Sequence, residues 1–332
     1  MKERAVGEVM DPVLAGLRAG SLEGLRAVAD GARFRMCHPF GDLEGVGAFE
    51  ARCWTPLLRA LPDMERIDLI RLAGRDADGT DWVGLAGHVV GSFAAPWLGI
   101  PSSGQVVHMR YHEFYRLDGD RVIEVQAIWD LPEVMMQAGV WPMAPQLGRF
   151  VMAPAPQGQD GLGPHDPAAA DAALEHVLAM LTAMTRHPSQ GGPEVMELER
   201  FWHPRFMWYG PAGIGTARGV DGFRRFHQIP FLRGMPDRGQ HPEGTTHHFF
   251  AAGSYVAVTG WPNMQQTLSG DGWLGLPPTG QRITLRSLDF WRLEAGLIRE
   301  NWVLVDLLDA FAQLGVDVMA RMEELAWSRG FR

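Results

Sequence analysis

The chain has 332 residues, 46% of them apolar and 21% charged, with a formal net charge of −9 at neutral pH. That acidic balance argues against a nucleic-acid partner, which would call for a basic face. Cys37 and Cys53 are the only cysteines, too few for a disulfide framework or a cysteine-built metal site, and no apolar run approaches the ~20 residues that span a bilayer.

The opening segment, MKERAVGEVMDPV, lacks the apolar centre of a signal peptide, so a cytoplasmic location is expected. From Asp11 to Ala29, Val13, Leu14, Leu17, Leu22 and Leu25 recur at helical spacing, and Gly20-Ser21 supplies a stop and a new N-cap. A short strand is expected around Phe34 and a helix from Val46 to Leu61. The runs DWVGLAGHVVGSF, QVVHMRYHEFYRL and DGDRVIEVQAIW then read as strands. Asp130 reads as the N-cap of a helix over LPEVMMQ, with Glu133 close to a capping-box position.

Trp141 to Pro167 is dense in Pro and Gly and reads as a linker, its Phe150, Val151 and Met152 predicting that it packs along a domain surface. The pattern then begins again. Helices are expected over DPAAADAALEHVLAMLTAMTRHP and PEVMELERFW, a strand near Phe206, and a helix from Val220 to Met235. Strands follow at SYVAVTGW, QRITLRSLDFWRL and GLIRENWVLV, and Asp306 caps DLLDAFAQ.

The recurrence is a true repeat. Trp97–Val140 aligns without a gap on Trp273–Val316, opening with WLGIPSSGQ against WLGLPPTGQ. Arg110, Phe114, Glu124, Asp130 and Gln137 match Arg286, Phe290, Glu300, Asp306 and Gln313. Upstream, GVGAFEARCWTPLLRALPD parallels GVDGFRRFHQIPFLRGMPD. Two copies, unlike the many of a solenoid, imply two complete domains. Residues 1–141 form the first, 142–167 the linker, and 168–332 the second with a C-terminal helix. Helices followed by antiparallel strands give an α+β fold twice over.

In each half a Trp, the pattern GxPxxGQ, an aromatic-rich strand and a final Asp followed by QxG (Asp130 with Gln137–Gly139, Asp306 with Gln313–Gly315) occur in order. The set resembles the SnoaL-like polyketide cyclases of the nuclear-transport-factor-2-like superfamily. The resemblance implies two cone-shaped α+β barrels, each a curved antiparallel sheet wrapped by helices around an apolar pocket. Such cyclases close a polyketide ring by intramolecular aldol condensation, with an acid–base residue and no metal or cofactor. The fold also hosts steroid isomerases, dehydratases, epoxide hydrolases and binding modules, so it does not choose a reaction. The implied partner is a small apolar ligand, with no nucleic acid and no membrane. Single-domain relatives dimerise through the outside of the sheet, which implies a pseudo-dimer within this one chain and leaves a homodimer open.

The resemblance places the family's catalytic aspartate at Ala127 and Val303, neither of which can move a proton. Glu113 and Asp289 are the candidates instead. Alternation puts Met109, Tyr111, Glu113 and Tyr115 on one strand face, and Leu285, Ser287, Asp289 and Trp291 on the matching one. A carboxylate in such a row is desolvated, which raises its pKa towards useful proton transfer. His38 could pair with Glu113, with Tyr111 and Met109 lining that pocket. Trp208, Ser287 and Asn301 would surround Asp289. No metal site is expected: His108 and His112 share a strand face but stand roughly 13 Å apart, too far for one zinc. Catalysis, ligand binding without turnover and a scaffold role all remain open.

Overall fold

The computed structural model describes residues 8–21 and 23–330; the segment before Glu8, Leu22 and the last two residues lie outside these. Helix α1 (Asp11–Arg18) buries Val13, Leu14 and Leu17, the stripe its apolar spacing predicts. Strands β1 (Val28–Met36) and β2 (Gly41–Glu44) follow. Helix α2 (Gly45–Phe49) then passes through a wide π turn, Glu50–Trp54, into α3 (Thr55–Ala60). β3 (Glu65–Arg75), β4 (Asp81–Ser92), β5 (Val106–Asp118), β6 (Arg121–Trp129) and α4 (Leu131–Gln137) complete the first half.

The second half repeats the plan. Helices α5 (Ala170–Met184) and α6 (Leu198–Phe201) lead to β7 (Trp202–Tyr209) and β8 (Ala217–Arg218). Then α7 (Gly219–Phe223), a π turn over Arg224–Gln228 and α8 (Ile229–Gly234) mirror the first copy. β9 (His248–Ala252), β10 (Tyr255–Thr259), β11 (Met264–Thr267), β12 (Arg282–Leu285), β13 (Ser287–Glu294) and β14 (Leu297–Val305) come next. Helices α9 (Leu307–Gln313) and α10 (Val318–Ser328) close the chain.

Each half builds a six-stranded sheet, in the orders β2-β1-β6-β5-β4-β3 and β8-β7-β14-β13-β10-β9, with β11-β12 as a separate pair. The fold is α+β, but the sheets are open rather than closed barrels. They are also mixed rather than purely antiparallel: β1 runs parallel to β6, and β7 parallel to β14. Those two strands enter from helical segments, not from hairpins, so no tight turn forces them antiparallel.

Strand β3 was not singled out by the sequence pattern. Its inward positions include Arg66 and Asp68, both buried, so the alternation that marks a half-buried strand is broken by charge. In the second half, β9 covers only five residues and pairs β10 alone. The stretch between Gly239 and His247 carries no strand. That shortening leaves the second sheet open at one edge.

The two sheets pack against each other through their outer faces. Phe114 and Phe290, matching residues of the repeat, stack with ring centroids 5.1 Å apart. His112 meets the carbonyl oxygen of its own counterpart Leu288, 176 residues away, at 2.6 Å. Contacts between equivalent positions are the mark of a two-fold interface. Gly84 lets the rings come close there: a Cβ would lie 3.0 Å from both phenyl rings, so they would have to shift to admit one. The seam is reciprocal. Asp130 Oδ2 accepts the Ala212 amide at 2.9 Å, and Asp306 Oδ2 accepts the His38 amide at 3.0 Å. The pseudo-dimer implied by the repeat is therefore present within one chain.

Asp306 caps α9 through the Asp309 amide, as expected, but Asp130 makes no side-chain cap to α4. Its carboxylate is spent on Ala212, and Glu133 turns instead to the Arg110 amide at 2.6 Å. The linker is strapped across both halves: its Ala153 carbonyl meets His88 at 2.7 Å, and Trp302 donates to its Pro154 carbonyl at 3.2 Å. Backbone groups and Ala153 do this docking. Phe150, Val151 and Met152, on which the expectation rested, stay about 40% exposed. No described helix is long and apolar enough to cross a membrane.

Candidate functional site

The first half has almost no interior space. The void beside Glu113 measures about 10 Å³, at most the space of a single water. Phe34 and Phe49 stack at 4.8 Å, and Trp54 and Trp129 close around Phe49 at 6.2 and 6.3 Å. The pocket expected there is filled with aromatic side chains.

Glu113 faces this interior as alternation predicts, but every oxygen is engaged. Arg66 holds it with two parallel bonds of 3.2 and 2.8 Å, Tyr115 donates at 2.6 Å and the Trp129 indole at 3.0 Å. Arg66 also donates to Asp68 at 3.0 Å and lies 3.8 Å above the Tyr111 ring, whose hydroxyl donates to Asp68. A bidentate guanidinium occupies both oxygens of a carboxylate and fixes its plane. The expected pairing of His38 with Glu113 does not form. His38 is half-buried at the seam, with its amide on Asp306. Met109 and Tyr111 are fully buried in packing rather than lining open space.

The second half is hollow. An internal cavity of about 90 Å³ is bordered by Asp289, Ser287, Asn301, Trp208, Trp291 and Val303. It adjoins an open groove of about 640 Å³, which shares Asp289, Ser287, Trp291, Met264 and Arg238 with it. The four second-half residues singled out from sequence, Asp289, Ser287, Trp208 and Asn301, thus meet at one cavity. The contrast with the first half follows from single substitutions in the repeat. Gln228 stands where Trp54 fills the first interior, and His227 where Cys53 stands. Arg238 occupies the place of Met64, and nothing corresponds to the Arg66–Asp68 clamp.

Asp289 Oδ1 accepts the Ser287 hydroxyl at 2.5 Å. Asn263 fixes that serine from behind, with its carboxamide oxygen accepting the Ser287 amide at 2.9 Å and its nitrogen donating to the Ser287 carbonyl at 2.7 Å. Burial pushes the Asp289 carboxyl up to about 7, against the opposing pulls of Ser287 and the Arg238 charge. Asn301 is anchored by donating to the Phe290 carbonyl at 3.0 Å. Trp208 stacks on His227 at 4.0 Å, and burial presses that imidazole down to about 3, so it stays neutral. Several polar atoms on this lining are buried without a partner: both side-chain ends of Gln228, the Trp291 indole nitrogen and His227 Nδ1. Such atoms are costly in a dry wall and suit a ligand that carries hydrogen-bonding groups.

Sequence reasoning missed Arg238, His227 and Gln228. The signal was present: the first residue after the shared Pro-Asp pair changes from Met64 to Arg238. Elsewhere, Asp76, Asp78 and His248 bring three donor groups together at the seam. Asp76 is already fully used there, taking the amides of Asp78 and Thr80, the Trp82 indole and His248. It braces a turn.

The family described as SnoaL-like polyketide cyclase matches residues 18–138 and 189–314. Among solved structures, the chain is similar to AclR from Streptomyces galilaeus, at 16% identity over 42% of this chain and 98% of that one, with a TM-score of 0.36. IdmH from Streptomyces antibioticus gives 20% identity over 40% and 98%, with a TM-score of 0.34. TsrD from Streptomyces laurentii gives 17% over 42% and 98%, with a TM-score of 0.36. A comparison with curated proteins finds no match.

Proposed function

Because the chain belongs to the SnoaL-like polyketide cyclase family, we propose that its second domain carries out cofactor-independent acid–base chemistry on a small, largely apolar carbonyl compound, with Asp289 transferring the proton. One observation carries this reading. Asp289 on β13 lies directly opposite Val303 on β14. Paired residues share a sheet face with Cβ atoms about 4.5–5.5 Å apart. The acid absent from the family's usual position is thus replaced by one on the neighbouring strand, facing the same cavity.

A carboxylate with a proton affinity near neutral is partly ionised at working pH and still basic enough to take a proton from carbon beside a carbonyl. It can return that proton as the acid. Enolisation of this kind is common to aldol ring closure and isomerisation. Ser287 holds the carboxylate in place, and the unpartnered Gln228 and Trp291 groups on the lining offer partners to carbonyl oxygens. Glu113, opposite Ala127, has the corresponding position in the first domain, but its charge is met by Arg66 and its surroundings are packed. The first domain is assigned a supporting role.

The second reading is a binding module without turnover, favoured by the valine at position 303. Incubation with 2-tetralone in D2O, followed by NMR, separates the two. The proposal expects catalysed deuteration of the α-carbon, with kcat/KM rising with pH through about 7 and levelling above it. Saturable binding of 2-tetralone with exchange no faster than in buffer would leave the binding module.

A further inference from the structure

Arg238 lines both the internal cavity and the groove outside it, at the junction where Asp289 also stands. Its guanidinium has no hydrogen bond or close ion pair among the described residues, in contrast to Arg66, Arg110, Arg286 and Arg292, each of which is paired. Its electrostatic neighbour is Asp289. A half-buried guanidinium on the groove wall with no protein acceptor presents its donors to whatever enters the pocket. The rest of the inner wall is mostly apolar, with Trp208, Phe223 and Trp291 among aliphatic side chains such as Met180, Leu232 and Val303.

Building on the acid–base reading of this pocket, we infer that its ligand carries a carboxylate, held by Arg238 at the junction while an apolar ring system spans the inner cavity and the adjoining groove. The guanidinium fork matches two carboxylate oxygens in one plane. The groove mouth leaves room for the charged end to keep part of its hydration. Burial keeps the Asp289 carboxyl largely uncharged below about 7, so it does not repel a second acid beside it. Arg238 thus acts as the residue that selects acids over their neutral derivatives.

Calorimetric titration of the full chain with 2-naphthoate and with methyl 2-naphthoate tests this. The acid is expected to bind at least about ten-fold tighter than the ester, the value of a charge-assisted pair. Arg238→Gln is expected to bring the two affinities together, chiefly through weaker binding of the acid, and Arg238→Lys to keep part of the preference. A native circular-dichroism spectrum of both variants verifies that the fold is intact. Equal affinities in the wild type, no binding of either compound, or a preference that survives in Arg238→Gln would overturn the inference. Binding needs no turnover, so the outcomes separate from those of the exchange experiment. Exchange without acid preference removes only the carboxylate, and acid preference without exchange removes only the catalytic reading.

Discussion

Asp289→Asn is expected to slow α-proton exchange on 2-tetralone by about 10²- to 10⁴-fold, the usual worth of a positioned base, and at pH 8 to make the protein more stable. The two effects have one cause. Burial raises the folded-state pKa of Asp289 to about 7, well above its unfolded value near 4. Between those values the folded chain holds a proton that the unfolded chain releases. The contribution is therefore fully present below about pH 4, falls as pH rises, and is lost above 7. The ionised group costs the folded state on the order of 2–4 kcal/mol at alkaline pH. Asparagine keeps the shape and the bond to Ser287 without the charge. Urea titrations at pH 8 and pH 4 check the sign: the variant should be the more stable at pH 8, with the difference closing at pH 4. A difference independent of pH would mean that the carboxyl is not desolvated.

Arg66→Met should have the opposite character, a large loss of stability of about 3–5 kcal/mol, because it strands a buried acid. Glu113 loses its guanidinium partner in closely packed surroundings, whereas Asp68 keeps Arg18 and Tyr111. Adding Glu113→Gln to the same background should recover most of the loss, since the stranded charge is then gone. Denaturant midpoints of the single and double variants measure this. A loss below about 1 kcal/mol in the single variant would show that the network is solvated, and the contrast between a solid first domain and a hollow second one would fail.

What was legible in the sequence and what was not divides along physical lines. The duplication was legible because whole phrases recur, and the sheet faces because side chains alternate with a period of two. That rule set Glu113 and Asp289 inward, and so Phe114 and Phe290 outward, where they stack across the seam. It failed at β3, where Arg66 and Asp68 occupy inward positions and stabilise each other instead of obeying hydrophobic patterning. From one strand alone, Glu113 and Asp289 look equivalent. Their difference depends on groups that come from elsewhere: Arg66 and Trp129 for one, Ser287 and Arg238 for the other. Whether a pocket is open depends on side-chain volume at distant positions, such as Trp54 against Gln228, and on a strand shortened from β3 to β9. Neither is visible in local periodicity.

The central claim is asymmetry: two copies of one domain, joined back to back, of which only the second retains a working cavity. Crystals soaked with 2-tetralone test it most directly. The account predicts ligand density beside Asp289, bounded by Trp208 and Trp291, and an unchanged Arg66–Glu113 pair in the first domain. Density against Glu113, with the aromatic packing around Phe49 displaced to admit it, would contradict the account.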